Sequence, residues 1–283
     1  MEFNNLNDLL STYVEAGEYE KAIPIAEKAI TVAQKEFGET HPDYAMSLNN
    51  LAEVYRNLGN YEKAESLYIH SNAILKKTLG EHHLNYAMGL NNLALLYSDK
   101  GEYKKAEPLF IESKDIRKKF LGENNPNYAR VLNNLAELYQ KLGEYKKAEP
   151  LYIQAKEIWK KTLGETHPDY ATSIDNLASL YEEMGHYEKA EALFIRSGEI
   201  KRTVLGETHP DYAINLNNLA LLNQSMGQYN KAELLYLQSI DIRKKTLGEM
   251  HPDYATSLNN LAGLYQVMGR NEKAEPLYIQ SKD

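Results

Sequence analysis

Five histidines recur at a fixed spacing and are the first residues here to consider for chemistry. They are His41, His83, His167, His209 and His251, all separated by multiples of 42 residues. Histidine is a common metal ligand, but the ligands of one zinc ion lie near 2 Å from it, whereas packed helices stand about 8–10 Å apart. One histidine per repeat is therefore interpreted as a loop or helix-entry residue. The sequence predicts no metal site and no cofactor.

Pairs of asparagines form a second recurring set. The pairs are Asn49 and Asn50, Asn91 and Asn92, Asn133 and Asn134, Asn217 and Asn218, and Asn259 and Asn260, with Asp175 and Asn176 as a variant. Asparagine costs up to about 0.7 kcal/mol relative to alanine inside a helix, so its repetition needs a reason. A carboxamide both donates and accepts hydrogen bonds, so a row of them can bind the backbone of an extended peptide whatever its sequence.

We predict that at least one asparagine of each pair, with Asn176 among the candidates, binds a peptide. Two alternatives stay open. One asparagine of each pair could tie neighbouring helices together, or duplication could have copied both without selection.

The elements that carry these residues repeat every 42 residues without insertion or deletion. In residues 43–58 the apolar side chains follow the spacing of an amphipathic helix, at Tyr44, Leu48, Leu51, Ala52 and Tyr55. We call this the A helix. Residues 61–79 carry a second apolar stripe, the B helix, with Gly59 at the turn before it and Gly80 after it. The asparagine pair lies away from the apolar stripe of the A helix, which predicts that both members stay outside the core.

The whole chain is predicted to contain seven such helix pairs. Their A helices begin near residues 2, 43, 85, 127, 169, 211 and 253. A fixed period of this size is typical of a solenoid, so we predict an all-α fold of antiparallel helix pairs in a single domain over residues 1–283. The units are approximately 1–42, 43–84, 85–126, 127–168, 169–210, 211–252 and a truncated 253–283. Since the last unit stops before the segment that closes the others, we expect the chain to be excised from a longer one.

The order L-A-x-x-Y-x-x-x-G-x-Y-x-x-A within each unit resembles the tetratricopeptide repeat. An example is Leu51, Ala52, Tyr55, Gly59, Tyr61 and Ala64. The 42-residue form, with L-N-N-L-A in the A helix and L-G-E-x-H-P in the connecting loop, is similar to the repeats of kinesin light chain and of many bacterial tetratricopeptide proteins. This resemblance covers essentially the whole chain. It implies a right-handed superhelix with a concave groove, lined mainly by A helices, that accepts peptides or partner segments, and it places the asparagine pairs on the groove wall.

Other positions predicted on the same helix face vary from unit to unit, as a specificity surface would. The candidate specificity residues are Glu53, Arg56, Leu95, Arg130, Glu137, Lys141, Asp175, Glu182 and Leu221. Acids outnumber bases on this face. The sequence therefore predicts a neutral to basic protein or peptide partner with some apolar anchors.

Composition argues against several other classes of protein. The formal net charge of −8 opposes a phosphate backbone, so we expect no nucleic-acid partner. The absence of cysteine fits a reducing compartment, and no window reaches the roughly 18 apolar residues of a membrane span, so we predict a cytoplasmic protein without a membrane partner. There is no nucleophile motif and no phosphate-binding glycine loop, so we predict no enzymatic activity.

The sequence thus predicts a scaffold for protein–protein interaction that holds a peptide or partner segment in the groove of A helices. One alternative is a regulatory or sensor segment of a larger multidomain effector. Another is a structural solenoid that associates with itself end to end.

Overall fold

The computed structural model describes residues 2–282, and within that range it consists of fourteen α-helices joined by short turns. The A helices are α1 (Glu2–Glu15), α3 (Pro42–Asn57), α5 (Leu84–Asp99), α7 (Pro126–Lys141), α9 (Pro168–Glu183), α11 (Pro210–Ser225) and α13 (Pro252–Val267). The B helices are α2 (Tyr19–Phe37), α4 (Tyr61–Leu79), α6 (Tyr103–Leu121), α8 (Tyr145–Leu163), α10 (Tyr187–Leu205), α12 (Tyr229–Leu247) and α14 (Asn271–Gln280). The prediction of an all-α solenoid of about seven helix pairs is confirmed. Met1 and Asp283, the outer bounds of the predicted first and last units, lie outside the described residues.

The chain forms two compact units that divide between Leu142 and Gly143. In the first unit each helix from α1 to α7 packs on the next one in sequence, and the same holds from α8 to α14 in the second unit. Neighbouring A helices also touch, α3 with α5 and α5 with α7 in the first unit, and α9 with α11 and α11 with α13 in the second. Each unit therefore presents a row of adjacent A helices.

The recurring histidines begin the A helices, which confirms their interpretation as helix-entry residues. His41 Nδ1 accepts a hydrogen bond from the backbone N–H of Asp43 at 3.2 Å, and Pro42 occupies the first helical position. The same cap is made by His83, His167, His209 and His251, while Asn125 Oδ1 makes it in the fourth repeat. A capping acceptor satisfies one of the free N–H groups of the first turn, and proline has none to lose there.

Glycine ends six of the B helices, from α2 to α12, whereas Ser281 follows α14. Gly80 has a φ of 90°, a conformation that residues with a Cβ rarely adopt, and its N–H still donates to the carbonyl of Lys76 at 3.1 Å. The chain then reaches the His83 cap within three residues. This fixed geometry places each A helix at a constant position relative to the preceding B helix.

Small and aromatic residues fill the space between the helices. Ala52, Ala64 and Tyr68 are fully buried, and the position of Tyr68 is occupied by buried tyrosine or phenylalanine in the four following repeats. Serine adds a buried hydrogen bond inside this core. Ser71 Oγ, on the B helix, donates to the carbonyl of Ala45 on the A helix of the same pair at 2.6 Å. Burial of this apolar surface is the main source of stability for the helix pairs.

Candidate functional site

The surface of interest is the A-helix face, which we define separately for each unit. In the first unit it is formed by α3, α5 and α7, and in the second by α9, α11 and α13. Two lines of polar side chains cross this face from one A helix to the next. They begin at Asn49 and Arg56, seven residues apart, which is about 10 Å along a helix.

The first line consists of hydrogen bonds between asparagines of successive A helices. Asn92 Nδ2 donates to Asn49 Oδ1 at 3.2 Å, and Asn134 Nδ2 donates to Asn91 Oδ1 at 3.0 Å. In the second unit Asn260 Nδ2 donates to Asn217 Oδ1, also at 3.0 Å. The second asparagine of one pair thus bonds the first asparagine of the preceding pair. This is the geometry of the alternative in which asparagine ties neighbouring helices together.

The expectation that both asparagines lie outside the core is wrong for the first member of four pairs. The exposed fractions are 2% for Asn49, 6% for Asn91, 9% for Asn133 and 6% for Asn217. An A helix packs on the B helices before and after it and on the adjacent A helices, so the buried sector is wider than its apolar stripe. The second member of every pair, from Asn50 to Asn260, is half-buried. Asn259, the first member of the last pair, is exposed, and its Oδ1 accepts a hydrogen bond from Ser281 Oγ at 2.7 Å.

Two asparagines of the A-helix face keep their amides unoccupied. Among residues 2–282, the side chains of Asn50 and Asn218 make no hydrogen bond, and both side chains are half-buried. We call each hydrogen bond between asparagines of successive A helices a rung. Asn218 makes no rung, since the residue at the position of the acceptor is Asp175, which has other partners. These two carboxamides therefore retain both a donor and an acceptor for a ligand.

The second line is charged in the first unit. Arg56 Nε lies 3.5 Å from Asp99 Oδ2 across α3 and α5, and Lys141 Nζ lies 2.8 Å from Glu137 and 3.5 Å from Ser98 Oγ. Burial raises the pKa of Asp99, although Arg56 opposes that shift. Arginine and lysine thus compensate the acids on this part of the face.

The corresponding line in the second unit is acidic. Its six positions at the ends of α9, α11 and α13 are Glu182, Glu183, Gln224, Ser225, Gln266 and Val267. Two of these six residues are acidic and none is basic. Ser225 Oγ donates to Glu182 Oε1 at 3.5 Å, and burial raises the pKa of Glu182. A carboxylate that is desolvated without a cation is a favourable contact for a positively charged ligand.

The remaining candidate specificity residues lie on or beside the A-helix face. Glu53, Leu95 and Glu137 are half-buried at equivalent positions of α3, α5 and α7, between the two polar lines. Arg130 and Leu221 are exposed. Glu53, Leu95 and Glu137 thus occupy one equivalent position on three successive A helices of the first unit.

Asp175 is the exception, because its carboxylate is buried and not presented to a partner. Its Oδ2 lies 2.5 Å from Lys201 Nζ, and its Oδ1 accepts from Asn215 Nδ2 at 2.9 Å. Burial raises the pKa of Asp175, while Lys201 lowers it. Gly198 makes room for Asn215, since a Cβ there would lie 2.4 Å from Asn215 Oδ1. The assignment of Asp175 to a specificity surface is corrected to an internal ion pair between α9, α10 and α11.

A third set of contacts was not predicted from the sequence. Tyr97 Oη donates to Glu65 Oε1 at 2.9 Å, joining an A helix to the preceding B helix, and the equivalent bonds are Tyr139 to Glu107, Tyr181 to Glu149 and Tyr265 to Glu233. Burial, together with the Glu65 carboxylate, raises the pKa of Tyr97 to about 12. The available signal was a tyrosine 32 residues after a glutamate in these repeats.

Across residues 2–282 no three histidine, cysteine or acidic side chains cluster closely enough to hold a metal ion. No helix in that range combines the length and the apolar character needed to cross a membrane.

Comparison with known families identifies the repeat. The tetratricopeptide repeat profile matches residues 3–77, 45–119, 85–152, 127–203, 188–245 and 216–283, overlapping segments that reach from one end of the chain to the other. The chain belongs to the tetratricopeptide repeat family, whose fold is a scaffold for protein–protein interaction. No curated protein sequence matches it.

Solved structures agree with this assignment and with the kinesin light chain-like form of the repeat. A Podosopora anserina protein described as a kinesin light chain with nearly identical TPR-like repeats is 30% identical, with a TM-score of 0.61 over 73% of this chain and 98% of that one. BtubC (BKLC) from P. vanneervenii is 25% identical, with a TM-score of 0.63 over 80% of this chain and 89% of that one. The apo form of RapI is similar in fold alone, with 18% identity and a TM-score of 0.72 over 99% of this chain and 96% of that one.

Proposed function

We propose that the protein binds a neutral to basic segment of a partner protein on its A-helix face. The observation that carries the proposal is the pair of carboxamides without a side-chain hydrogen bond, Asn50 and Asn218, on a face where Asn92, Asn134 and Asn260 each bond an asparagine of the preceding A helix. Each can exchange two hydrogen bonds with a peptide backbone. The asparagines in rungs then act mainly by holding the A helices together.

The preference for positive charge rests on the acidic line of the second unit. Glu182 lies half-buried on α9, and the equivalent ends of α11 and α13 carry no basic residue. A lysine or arginine of the ligand would supply the missing countercharge, and hydrogen bonds to charged groups contribute about 1.5–3 kcal/mol. Exposed Leu221, between the polar lines, offers an apolar contact on the same unit.

Selection from a random peptide display library tests this function directly, because it requires no identified partner. The enriched peptides are expected to carry a net positive charge and to bind the purified chain with a measurable Kd. Enrichment of acidic peptides would contradict the proposed charge preference.

The binding face is then mapped with two matched variants that each remove one carboxylate. Glu182→Gln, on the A-helix face, is expected to weaken binding of the enriched peptides about tenfold, which corresponds to about 1.4 kcal/mol. Glu188→Gln, an exposed B-helix residue, serves as the control and leaves the Kd unchanged. Equal losses in the two variants would show a general charge effect in place of a site on α9.

Self-association is a second candidate function, favoured by exposed apolar side chains on the last helix pair. Val267 is 57% exposed and Ile279 is 58% exposed. Contact between such faces of two copies would bury apolar area and stabilise a dimer. Light scattering across the micromolar range tests self-association. A constant monomer mass at every concentration would contradict it.

Three other expectations from the sequence stay predictions. A cytoplasmic location rests on the lack of cysteine, and the exclusion of nucleic acid rests on the net charge of −8. The absence of catalytic activity rests on the lack of any motif that departs from the repeat.

A further inference from the structure

A cavity of about 470 Å³ lies on B helix α6, next to the turn that precedes α5. It is lined by no residue of the A-helix face. Pro108, Ile111 and Ile116 give it an apolar wall, and a volume of this size is typical of pockets that accept a small ligand or a large side chain. The cavity belongs entirely to the first unit.

Three carboxylates surround this apolar wall. Glu81 comes from the turn, and Glu112 and Asp115 come from successive turns of α6, whereas the lining contains one permanent cation, Lys119. Lys119 Nζ lies over the ring of Phe120, 5.6 Å from its centroid. The cavity therefore combines aliphatic surface with an excess of negative charge.

The equivalent place on B helix α10, 84 residues further along the chain, is built differently. Glu165 and Glu199 correspond to Glu81 and Asp115, but the residue that corresponds to Glu112 is Arg196. Arg196 Nη2 lies 3.4 Å from Glu165 Oε2, and its Nη1 lies 3.5 Å from Glu199 Oε2. On α10 the chain itself thus supplies a guanidinium that bridges the two equivalent carboxylates.

The two glutamates of the turns have the same local partner, which leaves the same oxygen for a bridging cation. Glu165 Oε1 lies 2.8 Å from Lys160 Nζ, and Glu81 Oε1 lies 2.8 Å from Lys76 Nζ. The hydrogen bond from Lys76 lowers the pKa of Glu81, so this carboxyl is ionised at neutral pH. Asp115 Oδ1 lies 3.3 Å from Lys114 Nζ, which leaves Asp115 Oδ2 for a cation. On α10 the corresponding oxygen, Glu199 Oε2, contacts Arg196.

We propose that the α6 cavity binds an arginine side chain of a partner protein, with its guanidinium between Glu81 and Asp115 and its aliphatic stem on Pro108 and Ile111. Guanidinium is favoured over ammonium because its planar fork presents donors to two carboxylates at once, and on α10 the guanidinium of Arg196 contacts two carboxylates. Glu112, which stands where α10 has its own arginine, adds a third carboxylate to the same site. This site is separate from the A-helix face and does not depend on the function proposed for that face.

The probe for this site is arginine blocked at both ends, N-acetyl-arginine amide, with N-acetyl-citrulline amide as the uncharged analogue of the same shape. Amide chemical shifts of the labelled full chain are followed at low ionic strength, where exposed charges are least screened. We expect saturable shifts for α6 residues around Ile111 with the arginine compound and none with citrulline. Absence of shifts with the arginine compound, or equal shifts with citrulline, would overturn the proposal.

Two reciprocal variants give the matched control. Glu112→Arg reproduces the α10 arrangement on α6 and is expected to weaken binding at least tenfold, because the chain then fills its own site. Arg196→Glu gives α10 the three carboxylates of the α6 site, with Ala192 and Ile195 in the places of Pro108 and Ile111. It is expected to create a second binding site, seen as new shifts around Ile195. Both positions are on the exposed part of their helices, and far-ultraviolet circular dichroism checks that the variants fold.

Unchanged binding in Glu112→Arg would show that the probe does not sit between these carboxylates. The failure of Arg196→Glu to gain a site would show that the carboxylate arrangement is insufficient. Either result contradicts the proposal.

Discussion

The interface between the second and third repeats and the interface between the fifth and sixth share one backbone geometry but use opposite side chains. In the first, Asn72 of α4 faces Gly89 of α5. In the second, Gly198 of α10 faces Asn215 of α11. Positions 72 and 198 are equivalent, as are 89 and 215, so the asparagine and the glycine have changed places. Asparagine is accommodated on either helix of this contact only when its neighbour lacks a side chain.

The exchange has consequences for the asparagine line on the A-helix face. At the second–third interface the rung from Asn92 to Asn49 is closed. At the fifth–sixth interface the Asp175 carboxylate is bonded to Lys201 and Asn215 instead, and the side chain of Asn218 makes no hydrogen bond. At the fifth–sixth interface, the change inside the helix packing thus accompanies the loss of one hydrogen bond from the asparagine line on the surface.

The largest effect is expected from breaking the buried ion pair of the fifth–sixth interface. Asp175→Ala leaves Lys201 buried without a countercharge, and removal of one partner of such a pair costs about 3–5 kcal/mol of unfolding free energy. Urea unfolding measures the loss. Adding Lys201→Met, which removes the stranded charge, is expected to restore most of it, and a double variant as unstable as Asp175→Ala would contradict this account.

The next largest effect is expected at the second–third interface. A Cβ on Gly89 would lie 1.8 Å from Asn72 Oδ1, so Gly89→Ala forces Asn72 or the helix to move, at a cost of about 1–3 kcal/mol.

The double variant Asn72→Ala with Gly89→Ala provides the control for that prediction. It removes the clash together with a buried amide whose oxygen and nitrogen have no hydrogen-bond partner. We expect its urea midpoint to equal or exceed that of the wild type, since alanine also favours the helix over glycine by about 1 kcal/mol. A double variant no more stable than Gly89→Ala would show that the contact does not set the cost.

A stabilising change is expected at the fifth–sixth interface, where Asn223 stands in place of the tyrosine that bonds glutamate elsewhere. Asn223 is buried, its Nδ2 donates to the carbonyl of Leu219 at 2.7 Å, and its Oδ1 has no partner. Asn223→Tyr is expected to gain about 1–2 kcal/mol, from one hydrogen bond to Glu191 and from the buried ring. The same variant combined with Glu191→Ala separates the two contributions, and a loss of stability in Asn223→Tyr would contradict the prediction.

The smallest effect is expected from opening a single rung. Asn92→Ala removes the hydrogen bond to Asn49 together with the longer bond of 3.4 Å that Asn92 Oδ1 accepts from Asn91, and it costs about 0.5–1.5 kcal/mol, because one bond exchanged with water contributes about that much. Asn218→Ala, which breaks no bond within the described residues, is expected to leave the urea midpoint unchanged. Equal losses in the two variants would mean that the rung adds no stability.

The helices were predictable from the sequence because each boundary has a local cause. Histidine or asparagine caps the A helices from α3 to α13, and glycine follows the B helices from α2 to α12, so periodicity and caps placed the starts of the A helices within one residue. The candidate face was less predictable. The apolar stripe of one helix does not reveal that a second A helix covers Asn49, and no local pattern reveals that Lys201, 26 residues from Asp175, neutralises it. These outcomes depend on side chains from three helices that meet only after folding.

The central claim is that the free amide of Asn218 binds the partner backbone while the engaged amide of Asn92 supports the helices. The most direct measurement is the Kd of one display-selected basic peptide for the wild type, Asn218→Ala and Asn92→Ala, compared by isothermal titration calorimetry. We predict a Kd about fivefold weaker for Asn218→Ala, about 1 kcal/mol for the lost hydrogen bonds, and less than about twofold weaker for Asn92→Ala. An unchanged Kd in Asn218→Ala, or a larger loss in Asn92→Ala, would contradict the claim.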